Sequence, residues 1–267
     1  MDQSGAVVHE WVSDHNAGNK VELAPDGSLW RLMCTEWDGG CSGGYGCGIQ
    51  RFAWNGTVLW NFTSMDDATN FACQGYSCTL HHDLVLRSDR GTILVVIDTL
   101  FTADQARAAG RAANESMRMD GVVELRPTGY GTADVVWEWH VWDHLVQDVD
   151  ATLDNYAADS VAAHPERIDI NCASCHAADF NHMNGIDYHA GLDQLMISLH
   201  AQSELVIVDR ATTSAEAASR AGGRAGAGGD LLYRWGHPAM YGANGSQQVT
   251  IVPSHFCRFS NQVRWCS

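Results

Sequence analysis

The stretches "HHDLVLRSDRGTILVVID" (81–98) and "NHMNGIDYHAGLDQLMIS" (181–198) superpose with an offset of one hundred residues. His82 falls on His182, Gly91 on Gly191, and the apolar runs after the glycines overlap. A second unit recurs in "IQRFAWNGTVLWNF" (49–62), "VVELRPTGYGTADVVWEW" (122–139) and "LVIVDRATT…GGDLLYRW" (205–235). Each is an apolar strand, a turn with Gly or Asp, and an apolar strand closing on Trp60, Trp137 or Trp235. A unit of about four strands repeated in this way is the signature of β-propeller blades. "VELAPDGSLWRLM" (21–33) supplies the first half of the blade ending at Trp60, so units begin near 21, 81 and 182.

The remaining pattern agrees with an all-β chain. Short apolar runs bounded by Gly, Asp and Asn fall at 92–98, 134–139, 194–200, 204–209 and 230–235. The one fair helical candidate is "TADQARAAGRAANESMR" (102–118), which lacks an apolar stripe. The Ala/Gly-rich segment 211–230 reads as a mobile loop within one blade. The expected organisation is propeller blades over 1–245 and a divergent tail over 246–267. A closed propeller normally needs at least four blades. Three units therefore imply a piece of a larger propeller, or a partial ring that closes by self-association.

Charge narrows the partners. The formal net charge of −16 argues against nucleic acid and anionic membrane surfaces. No apolar run approaches the length of a membrane span, and "MDQSGAVVHEW" shows neither the basic nor the apolar region of a signal peptide. An anionic ligand would need a locally positive site, a demand that falls on histidines and arginines, because Lys20 is the only lysine. The nine cysteines cluster in apparent loops beside glycines, a usage that suits disulfides in an extracytoplasmic protein, periplasmic or secreted.

Equivalent positions in successive blades sit at equivalent radii, and innermost strands line the channel. His82 and His182 should therefore present neighbouring imidazoles at one mouth, a pair suited to a tetrahedral oxyanion. These two are the candidate catalytic residues. A histidine at a strand start more often satisfies backbone groups, and it is the repeat that sets His82 and His182 apart. His200, at the end of "QLMIS", Asn184 and His81 are the candidate substrate-binding residues. His81 and Asp83 also flank His82 closely enough to orient it. Trp137, Trp139 and Trp142, with His140 and His144, read either as a wall for an aromatic substrate or as core between blades.

"CASCH" (172–176) has the spacing of a c-type haem attachment, with Cys172 and Cys175 as thioether sites and His176 as axial ligand. Alternatives are a loop disulfide and a zinc site that lacks an evident fourth ligand. No metal and no cofactor is the main expectation, with the haem as an alternative.

"HHDLVLRSDRGTILVV", "VVWEWHVWDHLVQD", "NHMNGIDYHAGLDQLMIS" and "GGDLLYRWGHPAMYG" together resemble the arylsulfotransferase family over roughly residues 5–245. The resemblance implies a six-bladed propeller, of which three to four blades are present. It also implies sulfuryl transfer from an aryl sulfate to a phenol through a transiently sulfated histidine, with no nucleotide sulfate donor. His82 and His182 match two of the family's active-site histidines. His200 stands where the family has an arginine, and "VPSHF" with His255 is a poor match to the context of its sulfated histidine. The expected activity is thus aryl-sulfate sulfotransferase if the site is competent. The alternatives are a non-catalytic propeller that binds a ligand, and a haem-bearing redox propeller.

Overall fold

In the computed structural model the described residues are 3–34, 44, 46–63, 72–73, 76–172, 175–243, 248–250, 257–260 and 263–266. His255 lies outside them. The strands form three antiparallel meanders. The first sheet runs β1 (Asn16–Leu23), β2 (Leu29–Cys34), β3 (Gly48–Phe52) and β4 (Val58–Thr63). The second runs β5 (Ala72–Cys73), β6 (Tyr76–Arg87), β7 (Thr92–Phe101), β8 (Met117–Pro127) and β9 (Ala133–His140). A short parallel pair follows, β10 (Leu145–Val146) with β11 (Ile168–Asp169). The third sheet runs β12 (Met183–His189), β13 (Gln194–Leu199), β14 (Glu204–Asp209), β15 (Tyr233–Gly236) and β16 (Gln248–Thr250). A hairpin, β17 (Cys257–Ser260) and β18 (Val263–Cys266), ends the described chain. All three sheets are open, so the all-β reading holds while ring closure is not among the described features. They have four, five and five strands rather than four each. The extra strands are the two-residue β5 before β6 and β16 beyond β15.

The sheets stack face to face in chain order. Ile93, Val95 and Ile97 of β7 join a buried cluster with Trp30, Leu32, Ile49 and Trp60 of the first sheet. Leu94 and Val96, alternating with them, join Leu195, Ile197, Val206 and Val208 of the third. The middle sheet is thus covered on both faces, which is why "TILVVID" is an uninterrupted apolar run. β4 has one covered face and alternates instead: Leu59 is exposed between Val58 and the buried Trp60.

A buried polar cluster ties the second sheet to the third. Arg87 Nη1 donates to Glu124 Oε2 at 2.9 Å and Arg87 Nη2 to Tyr188 Oη at 2.6 Å. Arg210 Nε donates to the same Glu124 oxygen at 2.8 Å, and its guanidinium lies over Trp137.

Two expectations need correction. The helical candidate at 102–118 shrinks to α1, Ala103–Ala108. A capping box between Thr102 and Gln105 starts it, and Gly110 at φ +90° follows it, where a Cβ would lie 2.5 Å from Gln147 Cγ. The stretch from Met117 then joins β8. The Ala/Gly-rich loop, expected to be mobile, has a defined course. It holds α2 (Ser214–Ala217), capped by Thr213 and Glu216, and its Gly229 carbonyl accepts from Trp139 Nε1 at 2.7 Å. A Cβ on Gly229 would come within 2.0 Å of Ala217 O, so glycine here permits close docking rather than freedom.

Candidate functional site

β1, β6 and β12 run side by side where the three sheets meet, and Asp83 joins them. Its Oδ1 pairs with Lys20 Nζ of β1 at 2.9 Å, and its Oδ2 accepts from Ile186 N of β12 at 2.9 Å. The chain's only lysine is therefore a clamp between β1 and β6.

Both repeat histidines sit where strand pairing slips. On β6, Leu80 pairs with Ile97 and Leu84 with Val95, so His81, His82 and Asp83 face Val96 alone. On β12 the register shifts between Met183 and Gly185, directly after His182. Such bulges re-aim side chains. His82 and His182 also share a left-handed backbone, at φ 54° and 46°. That conformation is uncommon outside glycine and costs on the order of 1–3 kcal/mol. The one-hundred-residue repeat is thus a repeat of conformation as well as of sequence.

The slips bring three imidazoles into a row. The ring centroids of His82 and His182 are 4.8 Å apart, and those of His182 and His200 are again 4.8 Å apart. His82 and His182 are half-buried and His200 is exposed. His182 Nδ1 lies 2.5 Å from Asp179 Oδ2, on the one-turn 3-10 segment Ala177–Asp179. Gly44, at φ +89°, lies against His82, where a Cβ would fall 2.2 Å from Nε2. Burial, the like charge of His81 and that of His182 push the His82 pKa down to about 4, against weaker opposition from Asp120 and Asp179. His82 is therefore a neutral imidazole at pH 7.

His81, expected among the substrate-binding residues, is buried behind His82. The two Nδ1 atoms are 2.7 Å apart. Its Nε2 lies 3.1 Å from Asp120 Oδ1, an ion-pair contact. Burial, the largest influence on His81, disfavours its charge, but Asp120 and then Asp98 outweigh it and the pKa is raised. Asp120 Oδ2 also accepts from Met183 N at 2.6 Å, beside His182. Asp98 is paired with Arg118 at 2.5 Å. Asn184 points to solvent as an exposed residue.

Sequence reading passed over Asp120, Asp98, Asp179 and Gly44. Two of them carried a usable signal, an acid inside an apolar strand in "RMDGVV" and "VVID". The aromatic candidates lie elsewhere. Trp137 and Trp139 are buried between the second and third sheets, and His144 bridges Asp230 and the Ala217 carbonyl at 2.8 Å each. Cys172 and Cys175 are joined to each other in a disulfide, with His176 exposed beside them. Among the described residues no group of three or more His, Cys, Asp or Glu is disposed to hold a metal ion.

The family model for arylsulfotransferase (ASST) matches residues 1–216, which include the whole imidazole row. This chain belongs to the arylsulfotransferase family. No curated protein matches it. Among solved structures, hydrazine synthase of Kuenenia stuttgartiensis is similar at 14% identity with a TM-score of 0.38. That alignment covers 87% of this chain and 58% of the other, and at that score it carries no argument about this member of the arylsulfotransferases. No helix among the described residues is long and apolar enough to cross a membrane, which leaves β-barrel spans unaddressed.

Proposed function

We propose that this chain transfers a sulfuryl group from an aryl sulfate to a phenol through a sulfo-histidine, at the row formed by His82, His182 and His200. The observation that carries this reading is the row itself, within a family-matched segment and built on a repeated left-handed bulge. Sulfuryl transfer asks for an in-line nucleophile and leaving group, and for donors to the equatorial oxygens. His82 is neutral and so able to offer a lone pair. His182, braced by Asp179, is placed to hold a sulfuryl oxygen or to protonate a departing phenolate. His200 stands at the open end, where an incoming anion meets it first, and donates without the guanidinium's permanent charge and fork. An acidic surface repels anions, so the local histidines must overcome the field of a chain of net charge −16.

The three stacked meanders, with β1, β6 and β12 adjacent, support blades of a propeller whose first strands line a channel. The disulfide at Cys172–Cys175 and the disulfide-bonded Cys34 support an extracytoplasmic location. The test is release of nitrophenol from 4-nitrophenyl sulfate by the full chain, with phenol as acceptor. Phenol-dependent release that His182→Ala abolishes is expected. No release from a folded full-length protein overturns the reading in favour of a non-catalytic binding module.

A further inference from the structure

His182 and His200 form a cross-strand pair. His200 N donates to His182 O at 3.1 Å, and Ala201 N to Asn181 O at 3.1 Å. These bonds carry the β12–β13 ladder past its end and set the two imidazoles opposite each other, with ring centroids 4.8 Å apart. Like charges directly opposite one another on paired strands repel, so two imidazolium rings at this spacing call for an anion. We propose that His182 and His200 seat a tetrahedral oxyanion and take up a proton from solution as it binds, with Asp179 positioning the ring of His182. The inference rests on the aryl-sulfate reading for its natural ligand, while oxyanion binding as such is tested separately.

Among the described residues, the permanent cations around the row are already paired, so the charge that an anion meets here comes from protons. Lys20 of β1 is held by Asp83 of β6 at 2.9 Å, and Arg118 of β8 by Asp98 of β7 at 2.5 Å. On β6, His82 is neutral at pH 7, and the buried His81 behind it faces Asp120 of β8. Asp120 turns its other oxygen to Met183 N. Glu204, at the start of β14, is paired with Arg234 at 2.6 Å. The acid that touches the histidine pair is Asp179, whose Oδ2 lies 2.5 Å from His182 Nδ1.

Asp179 fixes which nitrogen the anion meets. With the Nδ1 proton of His182 turned to the carboxylate, Nε2 is the atom left for a ligand. On a neutral ring that Nε2 is bare, an acceptor facing the acceptor oxygens of the anion; on a protonated ring it is a charged N–H donor. His200, exposed at the open end, gains a second donor and a charge in the same way. An oxyanion that prefers the protonated pair raises, by reciprocity, the affinity of the pair for protons. Above the ordinary histidine range, a single proton taken up with the anion makes its affinity fall about tenfold per pH unit.

The experiment is calorimetric titration of the full chain with inorganic sulfate, from about pH 5 to about pH 8, on either side of the ordinary histidine value. Buffers of different ionisation enthalpy report the protons exchanged. Sulfate stays fully ionised throughout, so a proton taken up on binding goes to the protein. Uptake should be small at the acid end and approach about one proton per sulfate at the other, with affinity falling about tenfold per pH unit there. His200→Arg should flatten that fall and reduce the uptake, because a guanidinium keeps its charge. Asp179→Asn removes the carboxylate that favours charge on His182, so the fall should begin at lower pH, an effect that a merely structural aspartate would not produce. Both substitutions fall on exposed residues. An affinity that does not change with pH, binding without proton uptake, or no sulfate binding at any pH overturns the proposal. Proton-linked sulfate binding in a protein that releases no nitrophenol from 4-nitrophenyl sulfate upholds the oxyanion seat and sinks the sulfuryl-transfer reading. Nitrophenol release beside sulfate binding that ignores pH does the reverse.

Discussion

Trp137 and Trp235 close equivalent strands of successive sheets, yet Trp137 is 1% exposed and Trp235 is 46% exposed. Both project from the face turned toward the next sheet in chain order. Trp137 shares its face with Leu94, through Glu124, and Leu94 packs toward the third sheet. Trp235 shares its face with Leu205, on the side opposite the Val206 and Val208 that pack toward the second. Trp60, in the first sheet, is buried like Trp137. The repeat therefore writes the same strand three times, and what differs among the described residues is how much of the tryptophan is covered. For two copies a sheet stacks on the tryptophan. On the third sheet, among the described residues, one end of the face is covered by Ile207, Leu232 and Tyr233 packing with Ala225 and Ala227 of the Ala/Gly-rich loop.

The largest effects are expected inside the sealed interface. Trp137→Ala removes a buried ring and its bond to Thr212 Oγ1, and should cost about 3–5 kcal/mol in denaturant unfolding. Glu124→Ala leaves Arg87 and Arg210 buried against each other without their shared carboxylate, a loss also of about 3–5 kcal/mol. A small loss from either change would mean that the second and third sheets are held by something other than this face.

How much of this was readable in advance depended on range. The strands around Trp60, Trp137 and Trp235 were legible, because alternation and turn residues act over a few positions. His82 and His182 were legible through the repeat, since equivalent places in equivalent sheets share a backbone. The partners of His82 were not. Asp120 lies 38 positions beyond His82 and reaches His81 only because β8 sits one strand away from β6 across β7. The loop at 211–230 misled for a related reason: its glycines answer to Ala217 and His144, contacts that no local composition reveals.

Intermediate effects separate His81 and His82 by pH. His81 has a raised pKa, so its contribution to stability is present below about 6.5 and is lost as pH rises through the folded value. His82 acts in the opposite sense. Between about 6.5 and its folded value of about 4, the unfolded chain binds a proton that the folded chain does not. Stability therefore falls as the solution is acidified through that window, by on the order of 1 kcal/mol once solvent screening of a half-buried ring is allowed for. His82→Asn keeps a residue that tolerates the left-handed backbone. It should flatten the acidic slope in urea midpoints measured from pH 7 to 4 and leave the alkaline slope in place. An unchanged acidic slope would place the penalty on another group.

The smallest effect is expected at Trp235, and it is the sharpest test of the comparison. If its face is open to water in the folded chain, Trp235→Ser removes little that folding had buried, and the midpoint should move by no more than about 0.5 kcal/mol. The shift should also be the same at every protein concentration. A second copy seated on this face would bury the ring, and the unmodified protein would then gain stability with concentration by mass action. Under that outcome Trp235→Ser would destabilise concentrated samples and spare dilute ones. Urea midpoints of both proteins over a hundredfold range of concentration, read beside sedimentation velocity, distinguish the cases, because only an occupied face couples the substitution to dilution.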